Sequence, residues 1–132
     1  VNVIAGQIYD AVGLADVALV ASGTATLETA LLETPMVIVY QISALTAAIG
    51  KRLIKLKNIG LVNIIAGKTL VPELIQEDVT ALHLADEAAK IISDVGHRRA
   101  IQKGLAEIRH KLGEPGASCR AAQIALQVMD KT

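Results

Sequence analysis

The sequence has no phenylalanine, no tryptophan and only two tyrosines. A core must therefore be built from Leu, Ile, Val and Ala, and there are no aromatic platforms on which nucleic-acid bases could stack. Charge of one sign is missing as well. Thirteen basic and thirteen acidic residues cancel, which excludes an overall basic field for nucleic acid. A single cysteine, Cys119, permits no intrachain disulfide; this fits a reducing cytosol. With no Cys or His partner at metal-ligand spacing, it reads as a small buried or half-buried residue. No apolar run approaches the roughly 18 residues of a membrane-spanning helix. Neither an initiator Met nor the basic region of a signal peptide precedes Val1-Asn2-Val3-Ile4-Ala5, so the chain reads as part of something longer.

What remains is strongly apolar. Hydrophobic residues make up 52% of the 132 residues, and the mean hydropathy is +0.47. Such a balance predicts apolar surface that faces another domain, a second subunit or a membrane, and hence self-association. The length fits one domain.

Short continuous apolar runs alternate with helix-like segments over the first third. Residues 1–5 read as a strand, 8–12 as a short helix, 17–21 as a second strand, 25–33 as a helix and 36–41 as a third strand. Continuous rather than alternating runs suit strands covered on both faces, and strands alternating with helices imply a parallel sheet. Residues 43–55 read as a helix with Lys51, Arg52 and Lys55 near its C-terminal end. Residues 58–70, containing Gly60, Asn63 and Gly67, read as a loop, and Pro72 as the first position of a short helix through Gln76. The rest is helical. Thr80 is expected to cap a helix with Leu82, Ala85, Ala89 and Ile92 on one face. Ile101, Leu105, Ile108 and Leu112 mark a second helix, Gly113–Gly116 a break, and Ala121, Ile124, Ala125 and Val128 a third. The expected fold class is α/β: a Rossmann-like parallel sheet with C-terminal helices packing back along it.

Two segments carry polar residues where an α/β sheet binds ligands. Ser22-Gly23-Thr24 falls between a buried strand and a helix start, in the crevice such sheets use. The unsatisfied first N–H groups of the helix suit a phosphate; an ordinary helix cap fits the same three residues. If Thr24 is the cap, Glu28 lies one position beyond a capping-box carboxylate, near enough to accept from a ligand's hydroxyls, or free to be a solvated or ion-paired side chain. In the second segment Asn63, Lys68, Glu73 and Gln76 are candidate ligand contacts, Lys68 as a neutralising charge for a diphosphate. Turn formation and helix-dipole complementation are their plainer readings. His83, His97 and His110 read as surface residues of helices, and no metal, cofactor, Walker loop or nucleophile elbow is called for.

The run Ala21-Ser22-Gly23-Thr24-Ala25-Thr26-Leu27-Glu28, with Pro35-Met36-Val37 and Pro72-Glu73-Leu74-Ile75-Gln76, resembles lipid-A-disaccharide synthase. The similarity continues through Lys51-Arg52-Leu53, Ala66-Gly67 and Ala121-Ala122-Gln123. The resemblance implies the C-terminal half of a GT-B glycosyltransferase, with residues 1–132 as one partial UDP-sugar-binding domain. The family transfers 2,3-diacylglucosamine from UDP to 2,3-diacylglucosamine 1-phosphate in lipid A biosynthesis. By that likeness Ser22, Gly23 and Thr24 bind the diphosphate, Glu28 the ribose, and Asn63, Glu73 and Gln76 line the donor site. No catalytic residue is expected within this chain, because the general base and acceptor site belong to the other half. The isolated chain is expected to be inactive. The implied partners are UDP-2,3-diacylglucosamine, the lipid acceptor, the absent N-terminal domain and further copies of the chain, with peripheral contact to the inner membrane from the cytoplasm. Two alternatives stay open: a UDP-sugar 2-epimerase fragment and a non-catalytic nucleotide-binding or interaction module.

Overall fold

In the computed structural model, residues 2–42 and 58–129 are described. The helix expected over 43–55 lies outside them. Three strands, β1 (Ala18–Ala21), β2 (Met36–Tyr40) and β3 (Glu73–Ile75), form a parallel sheet in the order β1-β2-β3. Ala21 pairs with Val39, and Val39 with Leu74. The fold class is the α/β parallel sheet that the alternating runs predict.

The helices are α1 (Ile8–Gly13), α2 (Thr24–Leu31), α3 (Leu61–Ala66), α4 (Ala81–Ser93), α5 (Val95–Leu112) and α6 (Ala117–Met129). β1, α2 and β2 make one strand–helix–strand unit. α2, α3 and α5 pack on one another, while α4 reaches β2 and α5. Met36, Val37 and Ile38 of β2 are buried together with Val62, Val71, Ile91, Ile101, Leu105 and Ile108 in one aliphatic core. Buried threonines do not interrupt it. Thr26 and Thr29 donate to the carbonyls of Gly23 and Ala25 within α2, and Thr34 donates to the carbonyl of Val12. Among the described residues no buried side-chain nitrogen or oxygen lacks a partner.

Several expectations need correction. Residues 2–5 form no strand, and Val3 is 93% exposed; an apolar run with no neighbour to pair with has no ladder to join. The stretch 58–70 contains α3. Gly60 is its N-cap and Gly67 its left-handed C-cap at φ 72°, so the glycines read as loop formers bracket a helix. Pro72 opens no helix. Its carbonyl accepts from Ile38 N–H, and Glu73–Ile75 continue as β3. Proline is tolerated just before an edge strand, and a short apolar run does not by itself distinguish strand from helix.

In α4 the face against the core is Leu84, Ala88 and Ile91, whereas Leu82 and Ile92 are exposed. Two apolar stripes lie one residue apart there, and packing selects the other one. α6 keeps its expected helix but buries none of its residues; of the C-terminal helices, α4 packs on β2 and α5 joins the shared core through α2, α3 and α4. Cys119, on α6, is exposed rather than half-buried.

Candidate functional site

The carboxyl ends of parallel strands are where open α/β sheets bind ligands, and Ser22 follows β1 directly. Its N–H donates to the Val39 carbonyl, which continues the ladder one step past the strand. Gly23 then turns the chain at φ 154°, ψ −163°, a region essentially open only to glycine. A Cβ there would meet nothing within 4 Å; conformation, not space, requires the glycine. Gly23, rather than Thr24, is the N-cap of α2, and no side chain caps this helix. The hydroxyl and N–H of Thr26 both go to the Gly23 carbonyl. The ordinary side-chain cap offered by Ser22 and Thr24 is therefore absent, and among the described residues the N–H groups of Thr24 and Ala25 have no acceptor.

Glu28 stands one turn into α2. It is exposed, and its carboxylate makes no hydrogen bond or ion pair with the described residues. It lines an open hollow of about 210 Å³ together with Tyr9 and Val12 of α1, Leu19 and Ala21 of β1, and Ala25. That volume is below the roughly 300–1,000 Å³ of a complete small-molecule site. Among the described residues the outer edge of β1 has no partner strand, and Leu19, on that strand, is 56% exposed. The contribution of Tyr9 and Leu19 to this hollow was not visible in the sequence, because neither belongs to a polar motif.

Glu73, Asn63 and Gln76 lie elsewhere and are engaged internally. Asn63 is fully buried, although it stands in what reads as a polar loop. Its Nδ2 donates to the Val71 carbonyl and to Glu73 Oε1 at 2.8 and 2.6 Å, and its Oδ1 accepts from Leu70 and Val71 N–H. An amide offers two donor and two acceptor sites, and all four are used. In this structure the Asn63 amide is bonded entirely within the chain. Glu73 opens β3, beside Ile38 in the register. Its carboxylate accepts from Asn63 and from the N–H groups of Ile59 and Gly60 at 2.9 and 3.0 Å.

Gln76 follows β3 at the carboxyl edge with φ 53°, a left-handed conformation uncommon for a residue with a side chain. Its side-chain amide accepts from Ile42 N–H at 2.7 Å and donates to Ile42 C=O at 3.0 Å. That pair of bonds closes the end of β2 onto the end of β3. Lys68 is exposed in the turn after α3, on the chain leading into the start of β3. Among the described residues it makes no hydrogen bond or ion pair with Ser22, Gly23 or Glu28. Gly60 is the participant sequence reasoning missed. It is buried, and a Cβ on it would stand 2.5 Å from Ile38 Cδ1 and 2.9 Å from Glu73 Oε1. Its signal was its place directly before Leu61–Ala66, six residues that are apolar but for Asn63.

The three histidines are exposed on α4 and α5. Among the described residues no group of His, Cys, Asp and Glu is arranged to hold a metal ion, and no helix is long and apolar enough to cross a membrane.

The sequence matches the family described as lipid-A-disaccharide synthetase over residues 1–128. It is 52% identical over 132 residues to the lipid-A-disaccharide synthase of Syntrophus aciditrophicus, covering all of this chain and 34% of that protein. It is 45% identical over 125 residues to that of Geobacter metallireducens, covering 95% of the chain and 33% of the relative. With the Geobacter sulfurreducens enzyme it shares 43% identity over 131 residues, covering 99% and 34%. The chain thus spans about a third of the length of the curated relatives it matches. A parallel sheet with a glycine-turned helix start at its carboxyl edge, and similarity to these enzymes along its whole length, make this chain a member of the lipid-A-disaccharide synthase family of glycosyltransferases.

Proposed function

We propose that residues 1–132 are the donor-nucleotide-binding part of a two-domain glycosyltransferase. The whole protein would transfer 2,3-diacylglucosamine from UDP to 2,3-diacylglucosamine 1-phosphate. The observation that carries this reading is the pairing of the uncapped start of α2 at Gly23 with the unpartnered Glu28 one turn later. The first N–H groups of a helix carry partial positive charge, and Ser22 and Thr24 stand beside them with hydroxyl donors. Diphosphate oxygens seated there leave Glu28 in reach of the ribose. Lys68, on an exposed turn, is at most an outer charge in this arrangement.

In the transfer step a base on the other part of the protein removes the proton from the acceptor's 6-hydroxyl as it attacks the anomeric carbon. The bond to the diphosphate breaks, and the departing UDP carries away the electron pair and added negative charge. Donors fixed at the start of α2 stabilise that charge without reorganising. Lipid-linked substrates place the enzyme at a membrane surface, which we take to be the cytoplasmic face of the inner membrane. The exposed apolar side chains of α1 and α6 support contact with the rest of the enzyme and assembly into a homo-oligomer.

The test is Glu28→Ala in the full-length protein, titrated with UDP and with 2′-deoxy-UDP. A carboxylate accepting from both ribose hydroxyls makes charge-assisted bonds, so UDP affinity should fall about tenfold to a hundredfold. The preference for ribose over deoxyribose should disappear. Parental affinity for both nucleotides in a folded Glu28→Ala protein would remove Glu28 from the site.

A further inference from the structure

We propose that Glu73 is a positioning residue of the donor site, one that acts through α3 and does not touch the nucleotide. This rests on the donor reading above. The Glu73 carboxylate is the hub of a network linking three separate pieces of chain. It accepts from Ile59 and Gly60 N–H at the start of α3, and from Asn63 one turn into that helix. Asn63 in turn grips Leu70 and Val71, the residues that lead into β3. The start of α3 and its first turn are thereby tied to β3 and to the residues that lead into it.

α3 also packs against α2, with Val62 of α3 and Ala30 of α2 in the same buried core. Thr24, at the start of α2, carries the proposed phosphate donors. A carboxylate that fixes where α3 sits therefore fixes the helix that braces α2. Gly60 makes the fit close. Any side chain there would press on Ile38 and on the Glu73 carboxylate itself. Gln76, three residues on, performs the matching task for β2 by holding both backbone polar groups of Ile42. β3 is short, yet Glu73 at its start and Gln76 just after its end set the positions of the segments around it. Three of the roughly four acceptor sites of the Glu73 carboxylate are already used by these N–H groups.

The experiment measures two quantities in the full-length enzyme: amide exchange without nucleotide, and UDP affinity. The proteins compared are the parent, Glu73→Gln, Gly60→Ala and the double variant. Glu73→Gln turns one acceptor into a donor facing N–H groups. Exchange at Ile59 and Gly60 should then speed up about tenfold to a hundredfold, and UDP affinity should fall about tenfold. Gly60→Ala keeps every polar side chain and should reproduce both effects. The double variant should lose less than the product of the two, because both break one unit.

Weaker UDP binding with Ile59 and Gly60 still protected would make Glu73 a direct ligand contact and overturn the proposal. Lost protection with parental UDP affinity would reduce the network to general stability and overturn it equally. If Glu73→Gln does not fold, Gly60→Ala decides by the same two readings. A parent enzyme that binds no UDP would defeat the donor reading itself, and this proposal with it.

Discussion

α5 and α6 carry the same kind of apolar repeat and end differently. In α5, Ile101, Gly104, Leu105 and Ile108 are buried against α2, α3 and α4. In α6, Ala121, Ile124, Ala125 and Val128 are spaced just as regularly, yet Ile124 is 61% and Val128 62% exposed. Periodicity of this sort states which stripe of a helix is apolar. It does not state that the stripe has a partner. Most helix stability in proteins comes from packing of that face rather than from intrinsic propensity, so the two helices should respond very differently to the same substitution.

The largest difference is expected between Leu105→Ala and Ile124→Ala. Leu105 is fully buried, and deleting its side chain removes buried methyl groups and leaves a cavity, at a cost of about 2–5 kcal/mol. Ile124→Ala should stay within about 0.5 kcal/mol, as surface substitutions do. Denaturant midpoints of the two variants read this directly. Comparable losses would mean that α6 has a packed face after all, supplied by another copy or another part of the enzyme.

A smaller effect sharpens the same contrast. An ideal Cβ on Gly104 would lie 2.2 Å from Leu70 Cδ1, so α5 approaches the chain before β3 as closely as a helix without a side chain allows. Gly104→Ala gains about 1 kcal/mol of helix propensity but overpacks the contact at about 1–3 kcal/mol. The net result should be a loss of up to about 2 kcal/mol in thermal or denaturant unfolding. Net stabilisation would show that Leu70 moves aside at no cost and that the approach is loose.

The smallest expected effect is electrostatic. On α4 the hydrogen bond from Lys90 to Glu87, and then the charge of Glu87, hold the Lys90 pKa above its ordinary value. A raised folded-state pKa gives stabilisation that is complete below the ordinary lysine pKa and is lost as pH rises through the raised one. The pair is on the surface, where such bridges contribute little and salt screens them. Glu87→Gln should leave the unfolding temperature unchanged between about pH 6 and 8. A clear drop in that window would give the surface of α4 a role that its exposure does not suggest.

Much of the fold was legible because it rests on local patterns. The unbroken run Met36-Val37-Ile38-Val39-Tyr40, rich in β-branched residues and set off by Pro35, reads as a covered strand, and Thr80 caps α4 by accepting from His83 N–H, as its position implied. At the site, the glycine turn and the helix start after it were readable from Ser22-Gly23-Thr24, since few residue types tolerate that backbone. Asn63 was not readable as a saturated core residue. Its four partners come from residues 70, 71 and 73, and no spacing rule connects an asparagine to carbonyls and amides across a helix and a turn.

The sequence by itself determined the parallel α/β class, the aliphatic core without aromatics, the turn at Gly23 and the family. Each of these depends on residue type or on neighbours within a few positions. Tertiary structure alone decided the rest. It made Glu73-Leu74-Ile75 a strand because the open edge of β2 offered backbone partners that a one-turn helix could not match. It turned α4 on its Leu84, Ala88 and Ile91 stripe because that side met β2 and α5. It also sent the carboxylate of Glu73 inward to the amides of Ile59 and Gly60, because two N–H groups held at that distance satisfy a half-buried carboxylate better than none.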